Sequence, residues 1–158
     1  ILGRPHGNSG FRVYMPGRSC LFTEDGLSIV GPRQFDEFFR EPISAIAGHL
    51  ETAFIHTHSA GLDCCRQLGE IEELDGVELS NDPNGPSLEE IVEVGVALQE
   101  AGKSVMFSNW KHPLTDEEVR TILDRADPTR THITLTVETV AEAERWLDEV
   151  RERFTTDW

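Results

Sequence analysis

Two histidines stand one residue apart in a β-prone run, Thr52-Ala-Phe-Ile-His56-Thr-His58. Residues two apart on a strand face the same way, so both imidazoles share one side of the strand end. Such a pair is equipped to bind a metal ion, or to serve as acid-base and oxyanion groups. The same spacing also suits one histidine packed inside and one meeting solvent. Asp25, in Glu24-Asp25-Gly26, is a candidate pocket carboxylate.

The elements that must position these groups follow a rhythm. β-prone runs lie at 52–58, 76–80, 104–108 and 131–137, their starts recurring every 24 to 28 residues or so, about the length of a compact strand-plus-helix unit. Short connections of this kind predict an α/β fold of repeated βα units with a parallel sheet. In such sheets sites gather at the carboxyl ends of the strands. The polar residues expected there are His58 and Ser59, then Asn81, Asp82 and Asn84, then Asn109, Trp110 and Lys111, and last Glu138. Asn81 and Asn109 are candidates to orient a substrate by hydrogen bonds. Trp110 is a candidate substrate wall, with burial in an interface as the alternative.

Between the runs lie apolar stripes at helical spacing, Leu88 to Ala101, Val119 to Ala126 and Val140 to Phe154. Thr115 with Glu118, and Thr139 with Glu142, have the spacing of capping boxes. Earlier in the chain, 11–15 reads as a strand and Leu27–Val30 as a short extended piece. Pro32 suits the first position of a helix that Pro42 breaks, and a second helix follows to about Leu50.

Length and charge bound the function. The 158 residues make one domain, 1–158, and 14 Lys+Arg against 29 Asp+Glu give a formal charge of −15, which repels phosphate backbones and anionic lipid. Nucleic acid and membrane are therefore not expected as partners, and no run reaches the roughly 20 apolar residues a bilayer requires. Three cysteines, two of them adjacent, do not make a disulfide scaffold and fit a reducing cytoplasm. Cys64 and Cys65 project about 100° apart on a helix, which suits core packing better than a shared ligand. The Gly-rich stretch 3–10 lacks the spacing of a phosphate loop, and no GxSxG, HExxH or CxxC motif occurs.

Four blocks in order, GPRQFDEFFREP (31–42), FIHTHSAG (54–61), LDGVELSNDPNG (74–85) and ITLTVETVAEAERWLDEVRERF (133–154), resemble the uroporphyrinogen decarboxylase superfamily, which also holds cobalamin- and coenzyme M-linked methyltransferases. The resemblance covers about residues 20 to 154. It implies part of a (β/α)8 TIM barrel, its carboxyl-terminal half, in a fold that as a rule takes about 250 residues. The decarboxylases of the family need no cofactor. Its methyltransferases use zinc to activate a thiol, through a His-x-Cys at a strand end and a later Cys.

His56 matches the first of those ligands and His58 stands where the Cys would be, while Val137, with Glu138 beside it, falls where the late Cys belongs. The resemblance therefore implies a His56, His58, Glu138 set, chemically suited to zinc or ferrous iron, and Asp25 falls at an acidic position of the family. The expected function is a decarboxylase, or a methyltransferase acting on a small or corrinoid-linked substrate, with His56, His58 and Asp25 as catalytic residues. The alternative is a non-catalytic partial-barrel module. Either way, a half-barrel calls for a homodimer or for the amino-terminal half of the same chain to cover its open edges.

Overall fold

Alternation along the strands settles the architecture. Ala53, Ile55, Val77, Leu79, Val105 and Phe107 fall on one parity, and His56, His58, Glu78, Ser80, Met106 and Ser108 on the other. In a computed structural model, which describes residues 13–154, this pattern forms a five-stranded parallel sheet whose strands follow in chain order. The strands are β1 (Ser19–Thr23), β2 (Thr52–His58), β3 (Gly76–Asn81), β4 (Ser104–Asn109) and β5 (Thr131–Ile133). The register sets His56 against Thr23 on one side and Glu78 on the other, Glu78 against Met106, and Met106 against His132.

Helices α1 (Pro32–Gln34) and α2 (Arg40–Ala47) precede β2, α3 (Leu62–Leu68), α4 (Leu88–Glu100) and α5 (Asp116–Arg125) join the later strands, and α6 (Val140–Phe154) follows β5. Parallel strands in simple order, linked by right-handed crossovers, carry their helices on one face. The core lies there: Ile55, Val77, Leu79, Val105 and Phe107 form one buried cluster with Leu68, Ile91, Leu98 and Ile122. The alternating βα units and parallel sheet agree with the expected fold class, and strand order is that of a partial (β/α)8 barrel. Among the described residues no helix is long and apolar enough to cross a membrane.

Two capping boxes are complete. Thr115 and Glu118 satisfy each other's backbone N–H at the start of α5, and Ser87 with Glu90 does the same for α4, a box not picked out from the sequence. At α6 only half of the expected box forms. The Glu142 N–H donates to Thr139 Oγ1, while the Glu142 carboxylate accepts from Glu138 N rather than Thr139 N. Cys64 and Cys65 are fully buried as expected, and burial pushes the Cys65 thiol up to about 11.

The first fifty residues depart from expectation. Of the strand expected over 11–15, the described part, 13–15, is not extended into the sheet, and the first strand is Ser19–Thr23 instead. Asp25–Ile29 winds into a 3-10 turn rather than an extended piece. Pro32 does open a helix, with Gly31 as its cap, but Pro42 does not break it. A π turn over Phe35–Phe39 precedes α2, and Pro42 sits in the first turn of α2, just past this wide turn, where a missing N–H is least costly. The expected second helix ends at Ala47. The strand expected over 131–137 stops at Ile133, past which no strand pairs with it among the described residues.

At Gly95 α4 lies close against the sheet, since a Cβ there would be 2.5 Å from Phe107 Cζ. Phe107 is 2% exposed and cannot swing away. Gly95→Val is expected to destabilise the fold by about 1–3 kcal/mol through overpacking, read as a lowered urea midpoint. An unchanged midpoint would mean that α4 has room at this point.

Candidate metal centre

The carboxyl end of β2 delivers His56 and His58 side by side, their rings edge-on with centroids 4.9 Å apart at 84°. His56 is 5% exposed and His58 half-buried. Each ring is held from behind by a carboxylate. His56 Nδ1 lies 2.9 Å from Glu78 Oε2, and His58 Nδ1 lies 3.0 Å from Asp82 Oδ2. Glu78 is supplied directly by strand register. Asp82, just past β3, is held by the Ser59 N–H at 3.0 Å and the Ser80 hydroxyl at 2.9 Å. With both Nδ1 atoms committed, both Nε2 atoms face Asp25, whose Oδ1 is 3.6 Å from His58 Nε2 and 4.0 Å from His56 Nε2. Asp25, His56 and His58 thus offer three ligand atoms within 4.8 Å of one another, a group that could hold a metal ion. A carboxylate behind each metal-facing imidazole is the usual means of fixing its tautomer and raising its basicity.

Asp25 reaches this position because its 3-10 turn is clamped to β2. The Glu24 N–H donates to the His56 carbonyl at 3.2 Å, Leu27 is fully buried, and the Ser28 hydroxyl donates to the Asp25 carbonyl at 2.6 Å. Gly61 packs against this turn so tightly that a Cβ would run into the Leu27 carbonyl. The Asp25 side chain remains 68% exposed, so the group opens to solvent on that side.

Three carboxylates surround two imidazoles. The Glu78 carboxylate beside it holds His56 above the ordinary imidazole range, against the opposing pull of burial, with Asp25 and Asp82 adding to the effect. Farther along the same sheet face, burial pushes His132 the other way.

The other expected site residues separate into two positions. Glu138 is exposed, with its backbone N–H turned to Glu142, and it is not part of the histidine group; Asp25 is the carboxylate that joins them. Asn81 is buried at the end of β3, and its carbonyl accepts from Trp110 N at 3.1 Å. Asn109 and the 60% exposed Trp110 line a separate cavity beside β4, which shares Glu78 with the histidine group.

Glu78 was not among the residues singled out, and Asp82 was named only as a polar residue after its strand. A carboxylate between Val77 and Leu79 is the signal for Glu78, since it shares strand parity with Gly76 and Ser80 and marks a polar face. Nothing local in the sequence pairs Asp82 with His58.

Comparison with protein-family models, curated proteins and solved structures finds no match. The chemistry of the group therefore rests on its own geometry: two imidazole nitrogens and one exposed carboxylate oxygen, a group that could hold a metal ion.

Without a cation, the His56 imidazolium and Glu78 form a buried ion pair. Because the folded-state pKa of His56 is raised, this contribution is complete below the unfolded value of about 6.5 and is lost as pH rises through the folded value. Urea titrations in chelator should therefore show stability falling from pH 5.5 toward pH 9, and His56→Gln should flatten that slope. The same slope in the variant would remove His56 as its source.

Proposed function

We propose that the chain carries a zinc-type divalent cation on Asp25, His56 and His58, and acts as a metal-dependent enzyme domain of the methyltransferase kind within the uroporphyrinogen decarboxylase superfamily. The observation that carries this reading is the pair of carboxylate-anchored imidazoles, whose Nε2 atoms converge on Asp25 Oδ1. Once bound, the cation would supply a Lewis acid that favours the thiolate or hydroxide form of a bound thiol or water. Glu78 and Asp82 keep the two imidazoles in a metal-facing tautomer, and Asp25 closes the group while leaving a side open for a small thiol or a corrinoid-linked substrate. Cofactor-free decarboxylation is the weaker reading: it could use the imidazoles as acid-base groups, but it gives no reason for both Nε2 atoms to converge on Asp25 Oδ1.

A second reading has one observation in its favour. Among the described residues β1 and β5 each pair with a neighbour on one side only, and open edges of this kind invite a second chain. A non-catalytic module that dimerises through these edges would associate in sedimentation and bind no cation.

Metal analysis and zinc titration against a competing chelator separate the two. The wild-type chain should take up close to one zinc, His56→Ala/His58→Ala none, and Asp82→Ala should weaken binding about 10- to 100-fold. Glu138→Ala should change nothing. Absence of stoichiometric metal in the wild type, or its retention in a folded double variant, would overturn the reading.

A further inference from the structure

The cavity beside β4 has a volume of about 250 Å³ and shares Glu78 with the histidine group. It holds three buried polar atoms with no hydrogen-bond partner among the described residues: Glu78 Oε1, Ser108 Oγ and Asn109 Nδ2. Folded proteins leave few such atoms unpaired, and three around one cavity call for a common partner.

Their chemistry states what that partner offers. Glu78 is entirely buried, with one oxygen beside His56 and the other unpartnered, so it accepts a proton-bearing group. The Asn109 amide cannot be turned over, because its Oδ1 already accepts the N–H groups of Lys111 at 2.9 Å and His112 at 3.4 Å. Nδ2 is therefore a committed donor, and Ser108 Oγ beside it can donate as well. Met106, Pro113 and Leu114 supply apolar wall, Thr134 and Thr136 line the side toward the chain after β5, and Trp110 offers an aromatic surface to a carbon skeleton or a cation. The chain's formal charge of −15 draws cations rather than anions.

We infer that this cavity binds a small amino-carbonyl compound of amino-acid size, its ammonium group on Glu78 and its carbonyl or carboxylate oxygen on Ser108 and Asn109. A volume below the roughly 300 Å³ at which drug-sized pockets begin restricts the ligand to a few heavy atoms. The inference goes beyond the metal centre and holds with or without a cation there.

The probes are L-alaninamide, which has both groups, propionamide, which lacks the amine, and N-acetyl-L-alanine, which is an anion without the amine. Saturation-transfer NMR titrations on the whole chain in chelator should show L-alaninamide binding at least about tenfold more tightly than either of the others. Ser108→Ala and Asn109→Leu should each weaken it severalfold. Ser108→Ala removes only a hydroxyl and keeps the test valid if Asn109→Leu fails to fold. No L-alaninamide binding, equal binding of all three probes, or unchanged binding in Ser108→Ala would overturn the inference. Zinc stoichiometry on the same preparation reports separately on the metal centre, so the failure of one is distinguishable from the failure of the other.

Discussion

The pairing of His56 with Glu78 across β2 and β3 is the constraint on which the polar half of this structure rests. Both side chains are buried, and neither is tolerable alone: an unpaired carboxylate in the interior is costly enough that a protein neutralises it or supplies a partner. Parallel pairing supplies that partner by register, since His56 lies directly opposite Glu78. A slip of β2 by one residue would carry His56 to the apolar face, bring Ile55 to the polar one and leave Glu78 without its partner. The strand order and register are thus specified from both faces of the sheet at once, by hydrophobic burial on one and by a charge pair on the other.

The helices and the strand ends answer to different forces. On the helix-covered face, burial of Ile55, Val77, Leu79, Val105 and Phe107 supplies the driving force, and the close approach at Gly95 shows how tightly α4 is drawn in. On the other face, hydrogen bonds order the groups. Ser59 and Ser80 fix Asp82, Asp82 fixes His58, and the Glu24–His56 backbone bond fixes the turn that carries Asp25. The two systems meet at Leu27, which belongs to the core cluster yet follows Asp25 by two residues. Core packing therefore sets where the exposed carboxylate stands, and a change at Gly61 or Leu27 reaches the Asp25, His56 and His58 group without touching any of the three.

What was legible in the sequence is what periodicity and local chemistry encode. The run 52–58 forms a strand with both histidines on one face, and the Thr115 box opens α5, because alternation and capping depend only on near neighbours. The π turn before Pro42 was not legible, since a proline is read locally as a break and the accommodating turn lies upstream of it. Glu78 was overlooked for a related reason. A lone Glu in a strand run does not name its partner, and only the neighbouring strand shows that the carboxylate is buried against an imidazole. The third carboxylate was sought at Glu138, at the end of the expected fourth strand, but the chain leaves the sheet at Ile133, five residues earlier, and Glu138 ends up exposed. Asp25 could be placed only by the tertiary contact between its turn and β2.

Charge balance at the strand end gives the arrangement its direction. With neutral imidazoles, Asp25, Glu78 and Asp82 bring a charge of minus three into a small volume, part of it fully buried. Protonating His56 removes one unit of that charge, and the raised pKa of His56 records the demand. A divalent cation held by His56, His58 and Asp25, as proposed, would remove two. A proton and such a cation would compete for the same electrostatic role, but only the cation could be shared by both histidines and Asp25 at once. On that reading the two carboxylates behind the rings set the geometry, and the exposed Asp25 completes the group.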